Sequence, residues 1–254
     1  MVDLLFSRPD MAELYDSFCF WGCSPDDDFY LDLVLGARSV LDAGCGTGLL
    51  QRVARERGHT GRLVGLDPAE AMLGVARRER DDIEWTLGDL AHGPYGGEAG
   101  GPYENEFDLV VMTGHAFQVL TTDDGLREAL AAVRRALTED GRFVFETRNP
   151  AVRGWEAWYP EQVRTATVPD GREATSVHRL ESVEGDLVTF TSGCTVEGWA
   201  RPGLSRSTLR FLDADALNGF LAEAGLGVSA QYGYWDRSPL TEASEEIITF
   251  ARPV

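Results

Sequence analysis

Asp42-Ala43-Gly44-Cys45-Gly46-Thr47-Gly48 sets glycines at alternate positions directly after the apolar run Ser39-Val40-Leu41. Glycine tolerates positive φ and has no Cβ, so such a turn can leave a strand sharply and let a ligand rest on main-chain N–H groups and a helix N-terminus. The pattern reads as a nucleotide-binding strand, turn and helix. A dinucleotide fingerprint, G-x-G-x-x-G, would need its third glycine where this chain has Leu49. Asp67, about twenty positions on, closes the apolar run Arg62-Leu63-Val64-Gly65-Leu66 and is placed to accept both hydroxyls of a ribose. Asp67-Pro68 also suits a helix start, with Asp as cap and Pro in the first turn, and the two roles are compatible. His115 follows a further apolar run and is the candidate for proton transfer, because imidazole titrates near neutrality; packing against a ligand is its other reading.

Holding these residues together requires a sheet. The runs starting at Ser39, Arg62, Ile83, Phe107 and Gly141 are nearly continuous in apolar residues, as strands are when helices cover both faces of a parallel sheet. Helical patterns fall from Leu49 to Arg57, through Met72 and Val75, and from Asp123 to Leu137. Gly93 to Glu106, rich in Gly and Pro, reads as a surface loop. Residues 150–210 alternate in character, as in Val188-Thr189-Phe190-Thr191, and are broken by the turn signals Pro169-Asp170-Gly171 and Glu184-Gly185-Asp186, which predicts a small antiparallel β cap. A helix from Asp213 to Ala224, ended by Gly225, and strands from Gly227 to Tyr232 and Glu246 to Ala251 complete the chain.

The glycine turn resembles motif I of the class I S-adenosylmethionine (SAM)-dependent methyltransferases, and the segments ending in Asp67, Gly88-Asp89-Leu90 and Thr113-Gly114-His115 follow in that family's order over residues 38–147. The resemblance implies an α/β fold: a Rossmann-like, doubly wound, seven-stranded sheet, mostly parallel with an antiparallel last strand. It implies SAM as cofactor, with S-adenosylhomocysteine (SAH) as product, held by Asp42, Gly44, Cys45 and Gly46 in the turn and by Asp67, Pro68 and Met72 after the second strand. Asp89 would lie near the adenine amino group, Leu90 against the ring, and Thr113 at the end of the fourth strand. Leu14-Tyr15-Asp16 is similar to the lid of the amino-sugar N-methyltransferase group, where a tyrosine matching Tyr15 approaches the methionine end of SAM. That group carries a basic residue where this chain has Trp21-Gly22-Cys23-Ser24, and a histidine where it has Gln118.

A single methyltransferase domain is expected over residues 1–254, with a lid at 1–36, a SAM-binding core at 37–149 and 211–254, and a substrate cap at 150–210. Gln118, Arg148, Trp155 and Tyr159 are the candidates to contact the acceptor, and His115 the candidate catalytic base. The expected function is methyl transfer from SAM to an oxygen or nitrogen of a small molecule, in specialised metabolism; a SAM-binding protein without transferase activity is the alternative.

The formal net charge of −19 argues against nucleic acid as partner, since phosphate binding needs a basic face. All 23 basic side chains are arginine, which records GC-rich coding and suits a bacterial source. No stretch is apolar for long enough to span a bilayer, so no membrane role is expected. The 4 cysteines form no metal-ligand pattern and read as reduced thiols in a cytoplasm. No metal is expected, and the chain is expected to act as a monomer or homodimer.

Overall fold

The computed structural model describes residues 3–95 and 103–254. The apolar runs form strands β1 (Ser39–Ala43), β2 (Arg62–Asp67), β3 (Glu84–Asp89), the two-residue β4 (Gly93–Pro94), β5 (Phe107–Met112) and β6 (Leu137–Arg148). A separate set, β7 (Gln162–Thr167), β8 (Glu173–Glu184), β9 (Leu187–Val196) and β10 (Gly203–Arg210), precedes β11 (Leu226–Tyr232) and β12 (Glu246–Pro253). The main sheet runs β11-β12-β6-β5-β1-β2-β3-β4. β6, β5, β1, β2 and β3 are mutually parallel, and β12 is antiparallel to both β6 and β11. The register sets Val40 opposite both Leu63 and Leu109, so the parallel strands end together at one edge.

The sheet therefore has eight strands rather than the expected seven. The additional strand is β4, where Gly88 lies opposite Pro94 and Asp89 opposite Gly93. A Cβ on Gly88 would come within 2.3 Å of the Gly93 carbonyl oxygen, so this close approach needs glycine. The expected loop over Gly93 to Glu106 thus begins as an edge strand, while residues 96–102 lie outside the described residues. β6 also starts earlier than expected, at Leu137, and ends later, at Arg148.

The helices are α1 (Leu4–Ser7), α2 (Pro9–Phe18), α3 (Asp26–Leu35), α4 (Leu49–Glu56), α5 (Glu70–Glu79), α6 (Asp123–Ala136) and α7 (Ala214–Glu223). α6 and α7 cover one sheet face, burying Leu126, Leu130, Leu217 and Leu221 in one cluster with Phe143 and Phe145. α3 and α4 cover the other, where Tyr30, Val34 and Val53 join Val40, Leu109 and Val144. Each such side chain contributes roughly 1.5–3 kcal/mol by leaving water. Thr122 caps α6 by accepting from Gly125 N at 3.2 Å, and Asp213 caps α7 by accepting from Ala216 N at 2.8 Å.

The second sheet is antiparallel in the order β10-β9-β8-β7, as the alternating pattern of residues 150–210 predicts. Its hairpins turn at Gly171 (φ 88°) and Gly185 (φ 64°). Cross-strand register places His178 opposite Ser192, and Ser192 opposite Ser205. Its Phe190 joins Trp155, Trp158 and Phe211 in an aromatic cluster. α1 packs against β10 and α5, and α2 against α5 and β7, so the N-terminal helices close the space between the two sheets.

Candidate active site

The strand ends define a cavity of about 280 Å³. Its floor is the glycine turn, in which Gly44, Gly46 and Gly48 have φ of 86°, 56° and 73°, values a side chain rarely accepts. Gly44 N donates to the Leu66 carbonyl at 2.7 Å, tying the turn to the end of β2. A Cβ on Gly44 would meet the Ala116 Cβ at 2.9 Å. Asp67 braces both sides: its Oδ2 accepts from Gly46 N and its Oδ1 from Ala69 N, each at 2.8 Å. The helix-start role and the cavity-facing role therefore coincide in one carboxylate, which burial pushes up from the usual carboxylate range. Asp89 reaches the cavity from the end of β3, and its oxygens accept from His92 N at 2.7 Å and from the Tyr95 hydroxyl at 3.1 Å.

Of the residues expected around a cofactor, Tyr15, Gly44, Gly46, Asp67, Pro68, Met72, Asp89, Leu90 and Thr113 line this cavity. Asp42 and Cys45 lie behind its lining. Cys45 turns its thiol toward β2, where a Cβ on Gly65 would meet Sγ at 2.8 Å. Asp42 is 1% exposed and its Oδ1 has no hydrogen-bond partner. Burial, with repulsion from Asp67, pushes its carboxyl up to about 8. A carboxyl held protonated by the fold adds stability at low pH that is lost as pH rises toward about 8, because the unfolded state then binds fewer protons. Asp42→Asn is accordingly expected to flatten the fall in denaturant stability between pH 5 and 8 by up to about 1.4 kcal/mol per pH unit. Parallel stability curves for the two proteins over that range would reject the protonated carboxyl.

His115, Arg148 and two glutamates form the polar end of the site. His115 has φ 62° and sits in this left-handed conformation because its N–H donates to Glu146 Oε1 at 2.6 Å. Glu146 also accepts from the Tyr30 hydroxyl, and burial pushes its carboxyl up to about 7. His115 Nε2 lies 3.0 Å from both carboxyl oxygens of Glu246 on β12. Burial lowers the imidazole to about 4 and raises the Glu246 carboxyl to about 8, so between these values the pair shares one proton across the contact. Nδ1 makes no hydrogen bond among the described residues.

Three of the four residues expected to meet the acceptor lie elsewhere. Gln118 is 1% exposed and off the cavity; its amide donates to the Arg210 carbonyl at 3.0 Å and its Oε1 accepts from Arg148 Nη1 at 2.9 Å. Gln118 thus holds Arg148, which does line the cavity. Trp155 packs edge-on to Phe211 at 4.7 Å, spending its aromatic face on the cap's own core. Tyr159 is 74% exposed on the outer surface.

The cavity's roof is formed by residues outside the expected set. Phe190, Ser192, Ser207 and Leu209 reach it from β9 and β10, and Leu5 and Phe6 from α1. Period-two spacing marks Phe190 with Ser192, and Ser207 with Leu209, as sharing a face, but nothing local tells which face is covered. Glu146 and Glu246 were detectable as carboxylates set in apolar strand runs, Phe143 to Thr147 and Glu246 to Phe250.

Residues 40–141 match the family described as Methyltransferase domain. The chain is 34% identical over 147 residues to the 2-phytyl-1,4-naphtoquinone methyltransferase of Thermosynechococcus vestitus, covering 52% of this chain and 57% of that protein. It spans little more than half the length of that curated relative. Among solved structures, it is similar to the CcbJ methyltransferase from Streptomyces caelestis, with a TM-score of 0.75 and 20% identity over 100% of both chains. CalS10 from Micromonospora echinaspora, an amino pentose methyltransferase in calicheamicin biosynthesis, was solved with SAM bound; it gives a TM-score of 0.68 at 22% identity over 92% of this chain and 93% of that one.

Proposed function

We propose that the chain is a class I SAM-dependent methyltransferase that transfers the SAM methyl group to an oxygen or nitrogen of a small-molecule acceptor, a reading supported by the Methyltransferase domain match over residues 40–141 and by the methyltransferases to which the chain is similar. The observation that carries this reading is the joining of the glycine turn to Asp67 at the cavity floor. Backbone at positive φ leaves room for a nucleoside beside the strand ends, and Asp67, fixed by two N–H donors, keeps lone pairs for ribose hydroxyls. SAM would bring an already activated methyl group, so the protein's task is alignment and exclusion of water.

In this reading Gly44 and Gly46 admit the cofactor, Asp67 holds its ribose, and Asp89 with Leu90 meets its adenine. Tyr15 closes over it from the lid, while β9 and β10 roof the acceptor. His115 Nδ1 takes the acceptor's proton, and Glu246 holds the ring through Nε2. We assign residues 1–36 as lid, 37–149 and 211–254 as core, and 150–210 as cap. Among the described residues no helix is long and apolar enough to cross a membrane. The small-molecule class is supported by the roofed cavity, by the net charge of −19, and by the amino pentose methyltransferase among the structural relatives.

Incubation with methyl-labelled SAM and a metabolite panel tests the reading. Labelled product is the expected result, whereas SAM binding with no transfer to any acceptor would favour the binding-only alternative. A second test concerns Asp67. Asp67→Ala is expected to weaken SAH binding by about 1.5–3 kcal/mol, the range for hydrogen bonds to a charged group. Calorimetry in which the 2′-deoxy analogue binds wild type as tightly as SAH does would show that Asp67 does not read the ribose.

A further inference from the structure

Arg148 lies at the end of β6, deep in the chain and open to the cavity. A guanidinium is always charged, and a buried one ordinarily faces a carboxylate. Arg148 makes no ion pair within 4.0 Å among the described residues. Its side chain donates to a neutral amide, Gln118 Oε1, at 2.9 Å, and its guanidinium carbon, Cζ, lies 5.9 Å from the centroid of the Trp158 ring. The nearby glutamates are taken: Glu146 by Tyr30 and the His115 N–H, Glu246 by the His115 ring. Burial lowers the Arg148 guanidinium despite both of them, so its charge is incompletely compensated.

The roof supplies an independent observation. Ser192 is 2% exposed, lines the same cavity, and its Oγ has no hydrogen-bond partner. It shares a face of β9 with Phe190, and Trp158 bridges the two sides, 4.7 Å from Phe190 and 5.9 Å from Arg148. Apolar walls complete the space: Met112, Leu120, Phe190 and Leu209. An unpaired cation and an unpartnered hydroxyl inside an apolar chamber complement an oxyanion attached to an apolar body.

Resting on the methyltransferase reading, we propose that Arg148 and Ser192 form a receptor for a carboxylate group of the acceptor, so that this chain's substrates are small carboxylic acids. The cofactor also carries a carboxylate, and the test separates the two sources. The side-chain Nε–Hε signal of Arg148 is assigned in ¹⁵N spectra as the one lost in Arg148→Gln, or in Arg148→Lys should the first variant fail to fold. Acetate is then titrated into the SAH-saturated protein, with acetamide as the neutral probe. The expected result is a saturable shift of that signal by acetate, half-complete below about 0.1 M as befits so small a ligand. Acetamide should produce no such shift, and Ser192→Ala should raise the acetate midpoint about 3- to 10-fold.

No acetate shift, an equal shift with acetamide, or an unchanged midpoint in Ser192→Ala overturns the receptor. Acetate binding that SAH abolishes but 5′-methylthioadenosine, which lacks the carboxylate, leaves intact assigns Arg148 to the cofactor and overturns the acceptor assignment. Failure of SAH itself to bind refutes the methyltransferase reading, and the acetate titration of the protein alone still reports on Arg148.

Discussion

His115→Ala is expected to slow methyl transfer about 10²–10⁴-fold, the usual contribution of a positioned proton acceptor, with SAH affinity nearly unchanged. The hydrogen bonds around the ring set the pH dependence. With one proton shared between Nε2 and Glu246, the second ring nitrogen, Nδ1, carries its own hydrogen and cannot accept another. When pH rises through the Glu246 ionisation at about 8, Nε2–H donates to a carboxylate and Nδ1 presents a free lone pair. The wild-type kcat/KM is therefore expected to climb with pH and level off above about 8. Glu246→Gln should remove that step, since an amide does not titrate, while keeping a partner for Nε2. A marked loss of SAH affinity in His115→Ala, with circular dichroism unchanged, would show that His115 packs against the cofactor. A pH-independent wild-type rate would remove the dyad from the mechanism.

Gly46→Val is expected to weaken SAH binding by about 100-fold or more, roughly 3 kcal/mol at 1.4 kcal/mol per tenfold. Gly46 lines the cavity floor with φ 56°, so any side chain there enters the ligand's space. The nearest protein atom to an added Cβ is the flexible end of Met72, Cε at 3.3 Å, so the fold itself can accommodate the change. The left-handed backbone adds about 1–2 kcal/mol of strain for a residue with a Cβ. Gly58→Val is the control: it has φ 92° with nothing within 4 Å of an added Cβ, and it does not line the cavity. The control should lose stability and keep SAH affinity. Equal affinity in a folded Gly46→Val protein would refute the assignment of the turn to the cofactor.

Residues whose state depends on their immediate neighbours were legible in the chain alone. β2 and β5 span Arg62–Asp67 and Phe107–Met112 as read from their apolar runs, because a strand buried on both faces cannot hide its composition. The glycine turn and Asp67 were legible for a related reason: positive φ without a Cβ, and a carboxylate ending a strand, are local requirements. The cap's turns at Gly171 and Gly185 follow the same logic.

Relations between distant segments were decided by tertiary structure. Glu246 meets His115 from 131 positions away because β12 pairs with β6, a register invisible to periodicity. Gln118 and Arg148 looked equivalent as polar residues near strand ends, yet packing against the Arg210 carbonyl turns one inward and leaves the other open to the cavity. Alternation in β9 and β10 separated two faces, but only the docking of α1 and the cap over the strand ends made the Ser192 face a roof. Burial by remote elements also decided protonation. Asp42 and Asp67 differ little as aspartates in sequence; two N–H donors and an opening to the cavity distinguish the second, while the first, enclosed with an unpartnered oxygen, is pushed up to about 8.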